Sequence, residues 1–365
     1  MMHITSKIYS ATDVSEWRSL VPATRSVFGS LEYARITEEQ TAYPAQLLVV
    51  EAGETQVAVP FFLRPVARLE FASPRDQRSD AVTPEFTGPM IVCGDPSSVH
   101  DQFHAAMSAV FRERGIIAEF MHLNPWSEGN GLLDPSLVSY NRDIVWVDLR
   151  VDLETLWARH FEHACRKNIM RSEREGIRIF EAESVDHIVE FHRIYIATMV
   201  RTNASSQYYF PLAYFLRLFN EMRGQARFTM AACGSQIIGG ILYMHDDDTV
   251  YSFLGGADPT FQQMRPSNAI VYDTIRWGAA HGKKRLVLGG GHRPEDGIFR
   301  FKSSFSKYVA RFSTYREVHL LNDYRRLEAQ WCEHYHRATV ETDYFPSYRW
   351  IPANASSSDS RPEDR

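Results

Sequence analysis

The sequence predicts an α/β protein made of two similar domains, and three observations support this prediction. The chain has 365 residues, more than one small hydrophobic core usually needs. Helical and strand patterns alternate along it. Two segments, "LLVVEAGETQVAVPFFL" and "FTMAACGSQIIGGILYM", share the order strand, small residue, glycine, polar pair, strand. Gly53 of the first matches Gly234 of the second, which indicates an internal duplication with a period near half the chain.

The first half, residues 1–150, is expected to form one α/β domain. Its apolar periodicity and turn residues give helices at 12–28 and 99–114, and strands at 47–51, 56–63, 86–94 ("FTGPMIVCG") and 116–123.

The second half, residues 151–350, repeats this plan. The patterns give helices at 153–175, 184–199, 211–223 and 267–281, and strands at 177–182, 226–258 (three strands) and 285–291. The remaining residues, 351–365, are small, polar and charged, so we expect a disordered tail.

Composition narrows the possible functions. The net charge of −5 argues against a protein that coats nucleic acid, although it leaves room for a local basic patch. The four cysteines form no CxxC pair, so we expect neither a disulfide framework nor a zinc site, and a reducing cytoplasm is the expected location. We find no stretch that predicts a membrane span and no G-x-S-x-G motif of the kind found in serine hydrolases. No recognisable set of metal ligands is present either, so metal-free chemistry is expected.

The glycine-rich segment "LVLGGGHRPEDGIFRFKSSFSKY" is the most informative stretch of the second half. It matches neither the dinucleotide fingerprint nor the P-loop, which leaves an ordinary turn or a strand end that a ligand approaches closely. Alternation predicts a strand at 298–305, with Phe299 and Phe301 on one side and Lys302 on the other. Lys302 is then either a solvated surface lysine or a cation that holds a phosphate or a developing oxyanion.

Two further segments could bind a ligand. Lys167, Arg171, Arg174 and Arg178 have the spacing of one helix face, typical of a solvated surface but also suited to phosphates of RNA or a bulky anion. The polar loop "ATMVRTNASSQYYF" carries Arg201 and the pair Tyr208 and Tyr209, and such loops often contain binding residues.

Several motifs in order resemble the Fem family, whose members have two tandem acyltransferase folds of the GNAT type. They are "RKNI…EREGI", "YYF", "GSQIIGGILYM…TVYSFLGGAD…RPSNAIVYDTIRWGAAHG" and "LGGG…GIFRFKSSF", with the looser "DAVTPEFTGPM" in the first half. The resemblance implies that an amine attacks an acyl group carried by aminoacyl-tRNA or coenzyme A, without a tightly bound cofactor. The acceptor it implies is an amine-bearing small molecule or cell-envelope precursor, and the second fold would perform the chemistry.

The resemblance also implies site residues. Lys302 would lie near the transferred carbonyl. Independently of the resemblance, Asp296 or Glu295 could accept the amine proton, because both lie in the loop next to Lys302. Arg201 and Tyr208 would lie at the pocket edge. The other expected substrate or donor contacts are Tyr209, Tyr251, Gly255, Gly256, Ser267, Asn268, Gly290, Gly291, His292 and Phe301, with Lys167, Arg171 and Arg174 as possible phosphate or RNA contacts.

The donor remains open at this point. Coenzyme A-dependent relatives carry Q/R-x-x-G-x-G/A before the central helix, whereas this chain has "QQMRPSNA", with Pro266 expected to start the helix and Ser267 expected to cap it. Aminoacyl-tRNA is therefore the favoured donor. The alternatives are an acyl-CoA-dependent N-acyltransferase of an amino sugar or small metabolite, and a non-catalytic binding protein.

Overall fold

The computed structural model describes residues 4–291, Arg293 and residues 296–352. The predicted disordered tail lies almost entirely outside these residues, and within them no helix is long and apolar enough to cross a membrane. The chain divides into two compact units. Unit 1 contains Met1–Ala23, Phe28–Asn141 and Phe312–Arg365, and unit 2 contains Thr24–Val27 and Arg142–Arg311.

The secondary structure is a mixture of helices and strands, as predicted. The strands are β1 Ile4–Ser10, β2 Ala45–Ala52, β3 Thr55–Pro65, β4 Ser79–Val82, β5 Met90–Cys93, β6 Ile116–His122, β7 Val138–Asp148, β8 Arg178–Glu181, β9 Ala226–Cys233, β10 Gln236–His245, β11 Thr249–Ala257, β12 Arg285–Gly289 and β13 Val309–Val318. The α-helices are α1 Val14–Leu20, α2 Leu31–Thr41, α3 His100–Glu113, α4 Leu153–Thr155, α5 His163–Arg174, α6 Val185–Arg201, α7 Leu212–Glu221, α8 Pro266–Ala280, α9 Gly297–Ser303 and α10 Leu321–His334.

Unit 1 is built on a mixed sheet in which α1 and α2 lie between β1 and β2 in sequence. The order is β1-β2-β3-β4-β6-β13, and β5 pairs with β3. Neighbouring strands are antiparallel except β4 and β6, which are parallel and are connected through α3. Phe103 and Phe111 of α3 are fully buried against the sheet, in one cluster with Val57 and Val59.

Unit 2 repeats this topology. Its order is β8-β9-β10-β11-β12-β7, with α6 and α7 between β8 and β9, and with α8 between the parallel strands β11 and β12. The two matched hairpins have the same turn, because Gly53 and Gly234 both have φ of 58° at the first of two turn residues, as in a type II′ turn. The duplication predicted from sequence is thus present in the topology of the two units.

The two units do not coincide with the predicted domains, residues 1–150 and 151–350, because the last strand of each sheet comes from the other predicted domain. The part of β7 from Arg142 onward belongs to unit 2 and pairs with β12, whereas β13 from Phe312 onward belongs to unit 1 and pairs with β6. A local pattern indicates that a segment is a strand, but it does not indicate its partner. Residues 312–350 were therefore expected in the second domain and instead cluster with unit 1.

Two predicted helices were wrong in extent. The helix expected at 12–28 ends at Leu20, because Pro22 follows its C-cap and disfavours helical geometry in Val21. The helix expected at 153–175 is broken: residues 156–160 form a π-helical turn and Phe161 is extended. The break lets the Glu162 amide donate to the Ser304 carbonyl at 2.8 Å, which holds the end of α9.

Candidate functional site

The parallel strands of unit 2 part at their carboxyl ends. β11 and β12 pair over three residues of each strand, ending at Tyr251 and Val287. Beyond this point β11 continues to Ala257 alongside β10, and the register between β12 and β7 shifts before Gly289. An opening between the carboxyl ends of parallel strands is a common ligand site in α/β proteins.

The equivalent strands of unit 1 stay joined instead. Beyond β4, the Thr83 amide donates to Phe120, the Thr87 amide to His122, and the Asn124 amide to Thr87, at 3.0–3.1 Å. Thr87 and Leu123 also form a parallel bridge. The opening in unit 2 therefore has no counterpart at this position in unit 1.

The segment after the glycines is a helix, so the predicted strand at 298–305 was wrong. Asp296 caps α9, and its Oδ1 accepts the Phe299 amide hydrogen at 2.7 Å. Phe301 and Phe305 are one turn apart, with ring centroids separated by 5.5 Å, and pack on the apolar core of unit 2. Alternation in "FRFK" imitated a strand, but the cap and the i, i+4 aromatic pair favour a helix.

α9 brings Lys302 to the parted strand end. Its Nζ donates to the Gly290 carbonyl at 2.7 Å and the side chain is partly buried. Burial lowers the pKa of Lys302 to about 8; the Asp296 carboxylate opposes this effect and the Arg142 guanidinium adds to it. The ammonium is thus present at neutral pH but weakly solvated, which strengthens its interaction with negative charge.

Gly289 and Gly291 permit this arrangement. Gly289 has φ of +81°, a backbone conformation that disfavours side chains, and an added Cβ would lie 3.2 Å from Lys302 Nζ. A Cβ at Gly291 would lie 2.4 Å from Asp296 Oδ1, whose carboxylate also accepts the Arg293 amide hydrogen. The glycines therefore make room for the two charged side chains predicted to be catalytic.

The amino end of α8, the expected donor site, differs from the prediction in detail. The N-cap is Arg265, in the left-handed region (φ 61°, ψ 44°), and the helix begins at Pro266, so Ser267 lies inside the first turn. Asn268 is buried, and its side-chain amide nitrogen, Nδ2, lies 4.0 Å from the Cys165 sulfur. Burial raises the pKa of Cys165 to about 11, so it remains a thiol and is unsuited to nucleophilic attack.

The strand positions expected to bind ligand have packing roles. An added Cβ at Gly256 would lie 2.4 Å from Thr198 Oγ1 on α6, and one at Gly255 would lie 2.8 Å from the Gly240 carbonyl. Tyr251 is buried in the last residue pair before β11 and β12 part. These residues fix the position of β11 against its neighbours.

The aromatic loop between α6 and α7 is exposed and its backbone is anchored. Arg201 is the last residue of α6, and the side chains of Tyr208 and Tyr209 are about two-fifths exposed. The Tyr195 hydroxyl donates to the Tyr208 carbonyl at 2.5 Å. Among the described residues, no hydrogen bond or ion pair joins these three side chains to Lys302.

The predicted basic stripe is shorter than expected. Lys167, Arg171 and Arg174 lie on α5, and Arg171 pairs with Glu175 at 3.5 Å. Arg178 is not part of it, because the helix ends before Gly176, whose φ is +70°, and Arg178 begins β8. His292 and Glu295, two of the expected site residues, lie outside the described residues.

A separate buried polar cluster occupies unit 1. Glu119 and Glu317 are direct cross-strand neighbours on β6 and β13, and His319 places Nε2 3.3 Å from Glu119 and Nδ1 3.4 Å from Glu317. Burial alone would lower the pKa of His319, but the two carboxylates outweigh it and raise the pKa to about 9. Because both ring nitrogens face carboxylates, the geometry fits a protonated imidazolium; a ligating nitrogen would need its lone pair free for a metal.

Sequence reasoning missed Arg142, which lies on β7 and contacts the glycine segment. Its Nη1 donates to the Gly291 carbonyl at 3.3 Å. The alternating pattern "RDIVWVDL" could have predicted a strand here, but no local signal shows that this strand borders β12.

A family model described as "Acetyltransferase (GNAT) domain" matches residues 159–303, which include α8, α9 and Lys302. No curated protein sequence matches the chain.

Solved structures show the same fold over most of the chain. A crystal structure of FemX is similar with a TM-score of 0.67 and 10% identity, covering 88% of this chain and 99% of that one. A conserved protein from Bacteroides thetaiotaomicron has a TM-score of 0.56 and 14% identity, covering 86% and 99%. The C-terminal domain of a putative lysylphosphatidylglycerol synthetase from Agrobacterium fabrum has a TM-score of 0.54 and 12% identity, covering 86% and 94%. The chain is therefore an acyltransferase with a Fem-like pair of tandem GNAT folds, and the matched acetyltransferase domain lies in the second of them.

Proposed function

We propose that unit 2 is the catalytic unit and that it transfers an aminoacyl group from aminoacyl-tRNA to an amine, forming an amide. One observation carries the proposal: Lys302 is held where β11 and β12 part, and the corresponding strands of unit 1 stay paired. The proposal places the protein in the cytoplasm, where aminoacyl-tRNA is made.

The chemistry requires little from the protein because the donor ester is already activated. The amine nitrogen attacks the ester carbonyl, a C–N bond forms, and negative charge develops on the carbonyl oxygen. When the intermediate collapses, the C–O bond to the tRNA ribose breaks, the released hydroxyl takes up a proton and the amine loses one. Lys302 would stabilise the oxyanion from a partly buried position, where losing one such donor costs about a hundredfold to a thousandfold in turnover.

Asp296 has a supporting role in this proposal. Its carboxylate caps α9 and favours the charged form of Lys302, so it keeps the ammonium both in place and protonated. The amine proton can leave through water.

The start of α8 supports aminoacyl-tRNA over coenzyme A as the donor. A pyrophosphate site at a helix amino terminus uses free backbone N–H groups. Here Pro266 has no backbone N–H group, and the backbone N–H of Asn268 donates to the Arg265 carbonyl at 3.1 Å. The exposed side chains of Lys167 and Arg174 on α5 would contact tRNA phosphates, and Arg201, Tyr208 and Tyr209 would border the acceptor.

The second candidate is an acyl-CoA-dependent N-acyltransferase of an amino sugar or small metabolite. The match of residues 159–303 to a GNAT acetyltransferase domain favours it, because such domains use acyl-CoA as co-substrate.

One transfer assay separates the two candidates. Total tRNA charged with radiolabelled amino acids, and separately radiolabelled acetyl-CoA, would be incubated with the protein and a panel of amino sugars, diamines and amine-bearing envelope precursors. We expect label to move from tRNA into a base-stable amide, and Lys302→Met to abolish this transfer. Transfer from acetyl-CoA alone would favour the second candidate. Specific binding without any transfer would indicate a non-catalytic protein.

A further inference from the structure

The three consecutive glycines of unit 2 each make room for a different charged side chain. An added Cβ would lie 3.2 Å from Lys302 Nζ at Gly289, 2.9 Å from Arg142 Cδ at Gly290 and 2.4 Å from Asp296 Oδ1 at Gly291. Lys302 and Asp296 belong to the α9 region, whereas Arg142 comes from β7. The glycine segment is therefore a meeting point for side chains of two separate elements.

Arg142 and Lys302 hold successive carbonyls of this segment. Lys302 Nζ donates to Gly290 at 2.7 Å, and Arg142 Nη1 donates to Gly291 at 3.3 Å. Behind them, the Asp143 carbonyl would lie 2.9 Å from a Cβ at Gly290, so the β7 backbone also lies against the glycines. Two cations on neighbouring peptide groups restrict the rotation of those groups.

The two cations also influence each other. They lie close enough that the guanidinium lowers the pKa of Lys302, in addition to the larger effect of burial, while Asp296 opposes both. Removing Arg142 would therefore change both the orientation of the Gly290–Gly291 backbone and the charge state of its neighbour.

We propose that Arg142 is a positioning residue of the transfer site, which fixes the Gly290–Gly291 backbone that holds the Lys302 ammonium. The proposal rests on the proposed function only for its effect on transfer, since its effect on Lys302 can be measured without substrate.

The substrate-free test follows the titration of Lys302 by NMR. The full-length protein would be labelled with lysine carrying 13C at Cε, and the Lys302 signal would be assigned from its loss in Lys302→Met. We expect Arg142→Ala to raise the midpoint by about half a unit to one unit, as expected for removing one nearby partly solvated charge. Arg142→Lys should shift it less. The control is Arg150→Ala, which removes an arginine paired with Asp148 at 2.7 Å and should leave the midpoint unchanged.

Transfer kinetics complete the test. With aminoacyl-tRNA as donor, we expect Arg142→Ala to lower kcat roughly tenfold with a smaller change in donor KM, because misplacing a catalytic group mainly affects the reacting state. An unchanged Lys302 midpoint in a folded Arg142→Ala protein would overturn the proposal, and so would an unchanged midpoint in Arg142→Gln if the alanine variant does not fold. A shifted midpoint in a protein that transfers no acyl group would support the positioning role and overturn the proposed function.

Discussion

Replacing Lys302 with methionine should lower activity and at the same time relieve a cost to stability. The substitution keeps most of the side-chain volume and removes the charge and the hydrogen bond to Gly290. Turnover should fall by about a hundredfold to a thousandfold, the usual consequence of losing one oxyanion donor.

The stability effect follows from the pKa of Lys302. It is about 8 in the folded protein against 10.5 for an ordinary lysine, so the folded state disfavours the ammonium. This cost is fully present below pH 8 and disappears as the pH approaches 10.5. The difference between the pKa values of the folded and the unfolded state corresponds to about 3 kcal/mol. The lost charged hydrogen bond offsets roughly 1.5 to 3 kcal/mol of the gain. At pH 7 the variant should therefore be between equal in stability and roughly 1.5 kcal/mol more stable.

Two measurements check this prediction. Urea unfolding at pH 7 gives the stability difference, and single-turnover transfer from aminoacyl-tRNA gives the loss of activity. Lys307→Met, which changes a neighbouring exposed lysine, is the matched control and should alter neither. Near-normal turnover in the folded Lys302→Met protein would refute the catalytic role. A loss of more than about 2 kcal/mol would instead indicate a structural lysine, because the lowered pKa of Lys302 implies no net loss of stability.

Three other perturbations test neighbouring parts of the account. Gly291→Ala should destabilise the protein by about 1 to 3 kcal/mol and reduce transfer at least tenfold, because its Cβ would displace the carboxylate that caps α9. The control is Gly224→Ala, whose added Cβ meets nothing within 4 Å. Equal melting temperatures and transfer rates in Gly291→Ala and wild type would contradict the prediction. The stabilising contribution of His319 should be complete below pH 6.5 and decline as the pH rises to about 9. The difference in unfolding free energy between wild type and His319→Gln, measured by urea unfolding, should therefore narrow by up to about 3 kcal/mol over this range. A constant difference would show that the imidazolium does not form. Charge reversal of both Lys167 and Arg174 should weaken tRNA binding and reduce the slope of log K against log salt by about 0.7 to 0.9 per lost contact, whereas unchanged binding at low salt would leave both as solvated surface residues.

The repeated fold could be predicted from sequence because its signals are local. Gly53 and Gly234 mark equivalent turns that need positive φ, and the periodicities of α3, α6 and α8 are long enough to identify them as helices. The pairing of β7 with β12 and of β13 with β6 could not be predicted, because it depends on contacts between segments far apart in sequence.

The site could be predicted only in part. Lys302 was selected for its chemistry and for the glycines before it, yet its helix was predicted as a strand because "FRFK" alternates and Asp296 was not recognised as a cap. Gly255 and Gly256 are predicted to contact ligand; that they also allow close packing of β11 is revealed only by three-dimensional contacts. Arg142 was missed because its place beside β12 is set by the sheet.

Amide hydrogen exchange with and without aminoacyl-tRNA tests most directly whether unit 2 holds the reaction site. A non-hydrolysable amide-linked aminoacyl-tRNA analogue would be added at saturating concentration to the full-length protein, with acetyl-CoA as a parallel ligand. We expect protection in residues 252–258 and 286–303, where β11 and β12 part and α9 begins, with the aminoacyl-tRNA analogue giving the stronger effect. Protection confined to residues 83–87 and 120–124 of unit 1, with none near Lys302, would contradict it.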